Sequence, residues 1–274
     1  VGLVLLVLPY AHLLYRPYSD YRCLPECPKP QTKGTCDDAF WIGPSTAQQP
    51  SIASGDLLEL KYQGRIFTGA ALIFPGHVND CVTVHFGYGR TQGGRLCEEI
   101  GFNAYLLHTS EAPGGGPGLE LHKTGGTPHY FASTQHTQTM ESREPVRVAT
   151  IEEFKKSPEL VNEKEQDKPI PKWMTLYPDY KYEGYKWGMA IDLSTCTGCN
   201  SCMVACQSEN NVPVVGRREV INNREMHWIR IDRYYQGSPE DPHVVHQPLA
   251  CQQCENAPCG PVGPVGGTAA PEAG

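Results

Sequence analysis

The chain has 274 residues, a formal net charge of −7 and 39% hydrophobic residues, enough to bury the core of one large domain or of two ordinary ones. An acidic balance with no Lys/Arg cluster excludes a phosphate-backbone binder, which needs a basic footprint. Twelve cysteines are too dilute for a disulfide-stapled miniprotein, and seven of them fall into two motifs of metal-ligand spacing, so ligation accounts for them better than cross-linking.

Residues Val1 to Leu8 are continuously apolar, but Pro9 and Tyr10 end the run far short of the roughly 20 residues that cross a bilayer. A buried strand is predicted there. Neither a basic stretch before it nor a small-residue cleavage site after it marks a signal peptide. Tyr10 to Cys36 reads as loop, and Cys23, Cys27 and Cys36 match no common zinc or iron-sulfur spacing, so they are expected as disulfide-bonded or free thiols. Residues 1–36 are set apart as an N-terminal segment.

Short β-type runs follow: Leu57 to Tyr62, Arg65 to Phe67, Ala71 to Phe74 and Val82 to Phe86, separated by Gln63-Gly64, Pro75-Gly76 and Gly87. Four strands so spaced predict a small β-barrel or sandwich. Gly87 to Gly94 is glycine-rich after a strand, but no clear helix follows, so a flexible barrel loop fits better than a phosphate cradle.

The strings Ser54-Gly55-Asp56-Leu57-Leu58-Glu59-Leu60, Pro75-Gly76, Val82 to Arg90 and Gly101-Phe102-Asn103-Ala104-Tyr105 resemble the C-terminal barrel of molybdopterin-dinucleotide oxidoreductases. In particular they are similar to its cofactor-free version in the large iron-sulfur subunit of alternative complex III, a bacterial quinol oxidoreductase. The resemblance implies a barrel over residues 37–150 that keeps the shape without the pterin, so no molybdopterin is expected.

Ala112 to Gly126, rich in Gly and Pro, is expected to be a surface loop. Thr150 with Glu153 three residues on is a capping box for a short helix. His129 and His136 stand alone in polar text and are expected to be solvated rather than ligands. Residues 151–186 carry charge, proline and the tyrosines Tyr177, Tyr180, Tyr182 and Tyr185 without period, the composition of a linker that packs a few rings on neighbouring surfaces.

Residues 187–274 hold the chemistry. Trp187 to Asp192 is expected as a strand leading into Cys196, Cys199, Cys202 and Cys206. This Cys-x2-Cys-x2-Cys-x3-Cys run wraps a cubane iron-sulfur cluster with three sulfurs and sends the fourth to a neighbouring cluster. Gly198 suits a tight cluster loop because glycine reaches positive φ cheaply. Met203 to Glu209 is expected as a helix and Arg224 to Tyr234 as the returning strand, half of a ferredoxin repeat. The second half opens with Cys251, Cys254 and Cys259. The next ligand position holds Gly263, followed by the proline usual after such a ligand, Pro264. A zinc ribbon on Cys196, Cys199, Cys251 and Cys254 would leave Cys202, Cys206 and Cys259 idle, whereas iron-sulfur clusters use all seven.

Met189 to Tyr235 looks very like the ferredoxin-type half of the same alternative complex III subunit, and the resemblance covers most of residues 37–262 in the family's domain order. The expected fold class is therefore α+β: a small β-barrel of degenerate molybdopterin-dinucleotide-binding type followed by a ferredoxin-like iron-sulfur domain that is incomplete in this chain. In the family four cysteine motifs hold three [4Fe-4S] clusters and one [3Fe-4S], the first pairing with the fourth and the second with the third; two motifs stand here. Pairing the two motifs as in a simple ferredoxin gives one full [4Fe-4S] site, on Cys251, Cys254, Cys259 and Cys206, and leaves Cys196, Cys199 and Cys202 one ligand short. The resemblance implies an electron-transfer subunit without a catalytic substrate site of its own. Its implied partners are a quinol-oxidising integral membrane subunit, cytochrome c subunits and a high-potential acceptor, on the periplasmic or outer face of a bacterial membrane. Two other classes stay open: the ferredoxin-like partner of a molybdenum-dependent reductase of polysulfide or dimethyl sulfoxide type, and a non-redox assembly scaffold.

Overall fold

A computed structural model describes residues 2–13, 21, 23–48, 50–92, 100–140, 145–161, 172–174 and 180–262. Cys97, Tyr177, Gly263 and Pro264, with Gly93, Gly94 and residues 162–171 of the expected linker, lie outside them. Packing divides the chain into two compact units, one of residues 1–141 with 198–249 and the other of residues 142–197 with 250–274.

The first unit is built on a closed six-stranded barrel. Its strands are β1 (Leu3–Pro9), β2 (Phe40–Ile42), β3 (Leu57–Tyr62), β4 (Arg65–Ile73), β5 (Cys81–Phe86) and β6 (Gly115–Lys123), in the order β1-β5-β2-β4-β3-β6. β1 runs parallel to β5, with Leu5 opposite Val82 and Val7 opposite Val84, and β2 runs parallel to β4. The other pairs are antiparallel. Alternation places Leu58, Leu60 and Tyr62 of β3 inside, while Lys61 stays in solvent. β5 is buried along nearly its whole length because β1 and β2 flank it; its run Val82-Thr83-Val84-His85-Phe86 is accordingly mixed rather than alternating. Leu5, Phe40, Ile42, Phe67, Ala71, Val82 and Leu107 close the core.

The N-terminal apolar run is thus a strand, as expected, and it is a stave of the barrel. The expected surface loop from Ala112 to Gly126 is corrected: Gly115–Lys123 is β6, which pairs with both β1 and β3 and closes the barrel. Its glycines answer a close approach. Gly115 has φ +90, and a Cβ there would stand 2.2 Å from the Leu5 carbonyl oxygen. Gly115→Ala should therefore destabilise the first unit by more than about 2 kcal/mol, read as a lower urea midpoint.

Beneath the barrel lie Lys29 and Asp38, both buried, with the ammonium 3.7 Å from the carboxylate and 4.3 Å from the Tyr10 ring centroid. Burial pushes the Asp38 carboxyl up to about 7, with Lys29 opposing. A carboxyl raised on folding binds a proton that the unfolded chain has already released, so its contribution is full below about pH 4 and is lost as pH rises to about 7. Asp38→Asn is expected to flatten that part of the stability-against-pH curve in urea titrations at pH 5 and pH 7.

Two short helices, α1 (Cys23–Glu26) and α2 (Pro44–Gln48), lie between barrel strands in sequence. α4 (Ser201–Glu209), α5 (Arg217–Ile221) and the hairpin of β7 (Ile229–Ser238) and β8 (Asp241–Ala250) also belong to the first unit for nearly their whole length. Pro242 and Pro248 hid β8 from pattern reading, yet a two-stranded sheet has only edge strands, where proline is tolerated.

In the second unit α3 (Ile151–Lys156) starts on the expected capping box. The Thr150 hydroxyl accepts from the Glu153 amide at 3.2 Å, and the Glu153 carboxylate accepts from the Thr150 amide at 2.8 Å. The short helix α6 (Cys259–Val262) ends the described chain. The strand expected at Trp187 to Asp192 is corrected: these residues pair with no strand, and Trp187 is 99% exposed. No helix of the described residues is long and apolar enough to cross a membrane.

Candidate metal centre

The first cysteine run is shaped by its backbone. The Cys196 amide donates to the Asp192 carbonyl at 3.1 Å, and the Asp192 carboxylate accepts from the Ser194 amide and hydroxyl at 2.9 and 2.6 Å. Gly198 and Asn200 both take left-handed φ, +68 and +65, so the chain reverses tightly between Cys196 and the start of α4. Asn200 is fully buried. Its carbonyl accepts from the Met203 and Val204 amides to begin the helix, and its side-chain amide donates to the Pro28 carbonyl at 2.5 Å. α4 buries Met203 and Gln207 and packs against α1 and β7. Cys202 and Cys206 stand one turn apart on this helix, and the Asn210 side-chain amide donates to the Cys206 carbonyl at 3.0 Å and to its sulfur at 3.5 Å.

Two anchors fix the segment beyond α4. The Glu26 carboxylate, 1% exposed, accepts from the Val215 and Gly216 amides at 3.1 and 2.5 Å. Burial raises its pKa, with those two amides opposing. Asp37 accepts from Arg217 Nε at 3.1 Å and pairs with His129 Nε2 at 2.6 Å. The expectation that His129 is solvated is thereby corrected: His129 is a rivet between Asp37 and Arg217. His136 is exposed as expected, its Nε2 bonding Asn223 Oδ1 at 2.7 Å. Their partners stand 87 to 92 residues away in sequence, beyond the reach of any local pattern.

The second run follows β8. Cys251 and Cys254 stand on open coil and Cys259 on the first residue of α6. Gln253 adopts φ +47 between the first two. In the same unit Tyr182 donates to the Glu255 carboxylate, and the Lys186 ammonium lies 4.1 Å from the Tyr182 ring centroid. The bond from Tyr182 lowers the Glu255 pKa, and a separate hydrogen bond between Lys186 and Tyr182 raises that of Lys186, with Glu255 and Cys254 adding to it. Tyr180 stacks edge-on against Tyr182 at 5.1 Å, while Tyr185 is wholly exposed. The tyrosines expected to pack on neighbours thus divide.

No disulfide joins any of the eleven described cysteines. Cys199, Cys202, Cys251, Cys254 and Cys259 are exposed, and Cys196 and Cys206 half-buried. Cys199, Cys202 and Cys206 fall in the first compact unit; Cys196, Cys251, Cys254 and Cys259 fall in the second. Among the described residues no three His, Cys, Asp or Glu side chains close on one ion position; a cubane takes its thiolates at separate irons, so its ligands surround a larger body. The donor chemistry suits such a group: seven thiols free of disulfides, five of them exposed.

Sequence reasoning missed what lies behind the first run. Cys27 is buried beside Cys23, Cys202 and Cys199. Burial pushes its thiol up to about 12, the Cys23 thiol adding to this and Lys33 opposing. Burial likewise pushes Cys36 up to about 12, with Glu26 adding to it. The spacing Cys23-x3-Cys27 was visible in the sequence, but nothing in it pointed to α4.

No family model matches the chain. Over 88 residues it is 38% identical to the menaquinone reductase iron-sulfur cluster-binding subunit of Nitratidesulfovibrio vulgaris, covering 31% of this chain and 32% of the relative. It is 32% identical over 97 residues to the Hdr-like menaquinol oxidoreductase iron-sulfur subunit 1 of Archaeoglobus fulgidus, covering 30% and 35%. To the arsenate respiratory reductase iron-sulfur subunit of a Shewanella strain it is 35% identical over 72 residues, 26% of each chain. The chain thus spans about a third or less of the length of these relatives. They share one general kind, the iron-sulfur subunit of a reductase or quinol oxidoreductase.

Proposed function

We propose that the chain is an iron-sulfur electron-transfer subunit of a membrane-bound quinol oxidoreductase, passing electrons from quinol toward a cytochrome c or another high-potential acceptor. The observation that carries this reading is the likeness to subunits of a menaquinone reductase and a menaquinol oxidoreductase in a chain with seven cysteines at ferredoxin-type spacing. Clusters of [4Fe-4S] type, with [3Fe-4S] as the form expected where one ligand is missing, supply one-electron carriage when bound. Cys196, Cys199, Cys202, Cys206, Cys251, Cys254 and Cys259 would hold them. The chain's own work is to fix those thiols and to exclude water and oxidants. Asn200 and Glu26 do the first by tying the loop and the chain after α4 to residues 26–28.

We read the six-stranded barrel with its two parallel pairs as a cofactor-free barrel of molybdopterin-oxidoreductase type that serves as the docking body. In this reading partner subunits, an integral membrane quinol-oxidising protein and cytochrome c among them, hold the chain at the periplasmic or outer face of the membrane.

Anaerobic addition of quinol to the purified complex is expected to reduce the clusters, seen by electron paramagnetic resonance. Clusters that dithionite reduces and quinol does not would overturn the direction of electron flow. The likeness to an arsenate respiratory reductase subunit favours a second reading, the electron-transfer partner of a molybdenum-dependent reductase; stoichiometric molybdenum in the same complex would select it.

A further inference from the structure

Behind the loop of the first run stands a thiol to which the iron-sulfur spacing assigns no part. A cubane takes four thiolates, and a run of this spacing gives three of them to one cluster and sends its last, here Cys206, to another. The fourth thiolate of the first cluster therefore comes from outside the run. The second run holds Gly263 where such a ligand would stand. Cys27 is only 3% exposed, and its thiol is buried beside those of Cys199 and Cys202. Two ties hold it there. The side-chain amide of Asn200, between Cys199 and Cys202 in sequence, donates to the carbonyl of Pro28, the residue after Cys27, at 2.5 Å. The His12 ring bonds to the backbones of both Cys27 and Cys199. α1, which ends just before Cys27, also packs against α4. Cys23, one turn earlier, borders instead a cleft with Gln207, Ser208 and Asn211 toward the other end of α4, so the two cysteines are not equivalent.

We propose that Cys27 is a ligand of the cluster held at Cys199 and Cys202, and that it supplies the thiolate the first run lacks. The inference rests on the iron-sulfur reading above. Ligation forms one iron–sulfur bond and releases the thiol proton to water, because coordination deprotonates a thiol outright; no electron is transferred. Burial, which makes Cys27 a poor thiolate on its own, suits this role. Oxidation follows thiolate character and exposure, so the sulfur is preserved until iron arrives, and once bound it covers one corner of the cluster from water and oxidants.

The test uses the assembled complex, purified anaerobically, and reads by paramagnetic resonance and iron content the cluster whose signal Cys199→Ser removes. In the wild type that cluster is expected to hold four irons, and a three-iron cluster there overturns the proposal. Cys27→Ala, which cannot ligate, is expected to lose one iron from it and to show the signal of a [3Fe-4S] cluster when oxidised. Cys23→Ala and Cys36→Ala, the second also at a buried thiol, should leave it at four irons. A Cys27→Ala complex that keeps four irons there and an unchanged spectrum overturns the proposal. If Cys27→Ala fails to assemble, cryo-electron microscopy of the wild-type complex decides. Density joining Cys27 Sγ to one iron is the expected result, and any other ligand at that corner overturns it. Absence of every cluster signal from the wild type is a different failure, that of the iron-sulfur reading itself.

Discussion

Cys199→Ser, Cys202→Ser and Cys259→Ser are each expected to abolish a cluster signal and to stop quinol-driven reduction past that point, while the barrel's unfolding transition stays in place. A hydroxyl is close to isosteric with a thiol but a far poorer partner for iron. The three thiols are exposed and contribute nothing to the barrel core of Leu5, Phe40, Val82 and their neighbours, so the loss falls on the metal and not on the fold. The choice of three decides between metals. A zinc ribbon on Cys196, Cys199, Cys251 and Cys254 would be indifferent to Cys202→Ser and Cys259→Ser, whereas clusters that use all seven thiols lose a ligand each time. Iron and sulfide assays on each variant, beside its resonance spectrum, check the outcome.

Gln135→Ala is expected to destabilise the first unit by about 2–4 kcal/mol. The Gln135 carbonyl oxygen accepts from the Arg233 amide at 2.9 Å, and its side-chain amide donates to the Arg233 and Thr137 carbonyls at 2.7 and 2.8 Å. This one side chain fastens β7 to the strand-like stretch of residues 133–139, next to the bridge between Thr139 and Tyr235. Alanine would orphan the buried amide and carbonyl of Arg233 as well as lose three bonds, and the orphaning is the larger cost. Arg233 is itself 2% exposed, with its guanidinium 4.0 Å from the Tyr235 ring centroid, so little water can enter to replace what is lost. The urea midpoint should fall with the slope unchanged, and the Arg233 amide should exchange faster. A change below about 0.5 kcal/mol, the size of an ordinary surface substitution, would contradict the role.

The parts of this protein that its sequence discloses are those whose physics is local. β3 and β5 show in alternation or apolar runs bounded by Gly and Pro, α3 in its Thr150–Glu153 box, and the cysteine runs in their spacing. β6 was hidden because Gly115, Gly116, Pro117 and Gly118 resemble a loop until β1 is seen pressing on Gly115. Trp187 to Asp192 has strand-like residues but no partner strand, and a strand alone has no ladder to satisfy its backbone. The supports of the candidate site were the least legible. Asn200 reaches Pro28, Glu26 reaches Gly216 and His129 reaches Asp37, contacts that depend on tertiary closure alone and leave no period in the chain.

Iron, acid-labile sulfide and zinc measured on the same anaerobically purified complex test the central claim most directly. Iron and sulfide are expected in near-equal amounts, at several of each per chain and with no stoichiometric zinc. Stoichiometric zinc with neither iron nor sulfide would contradict it.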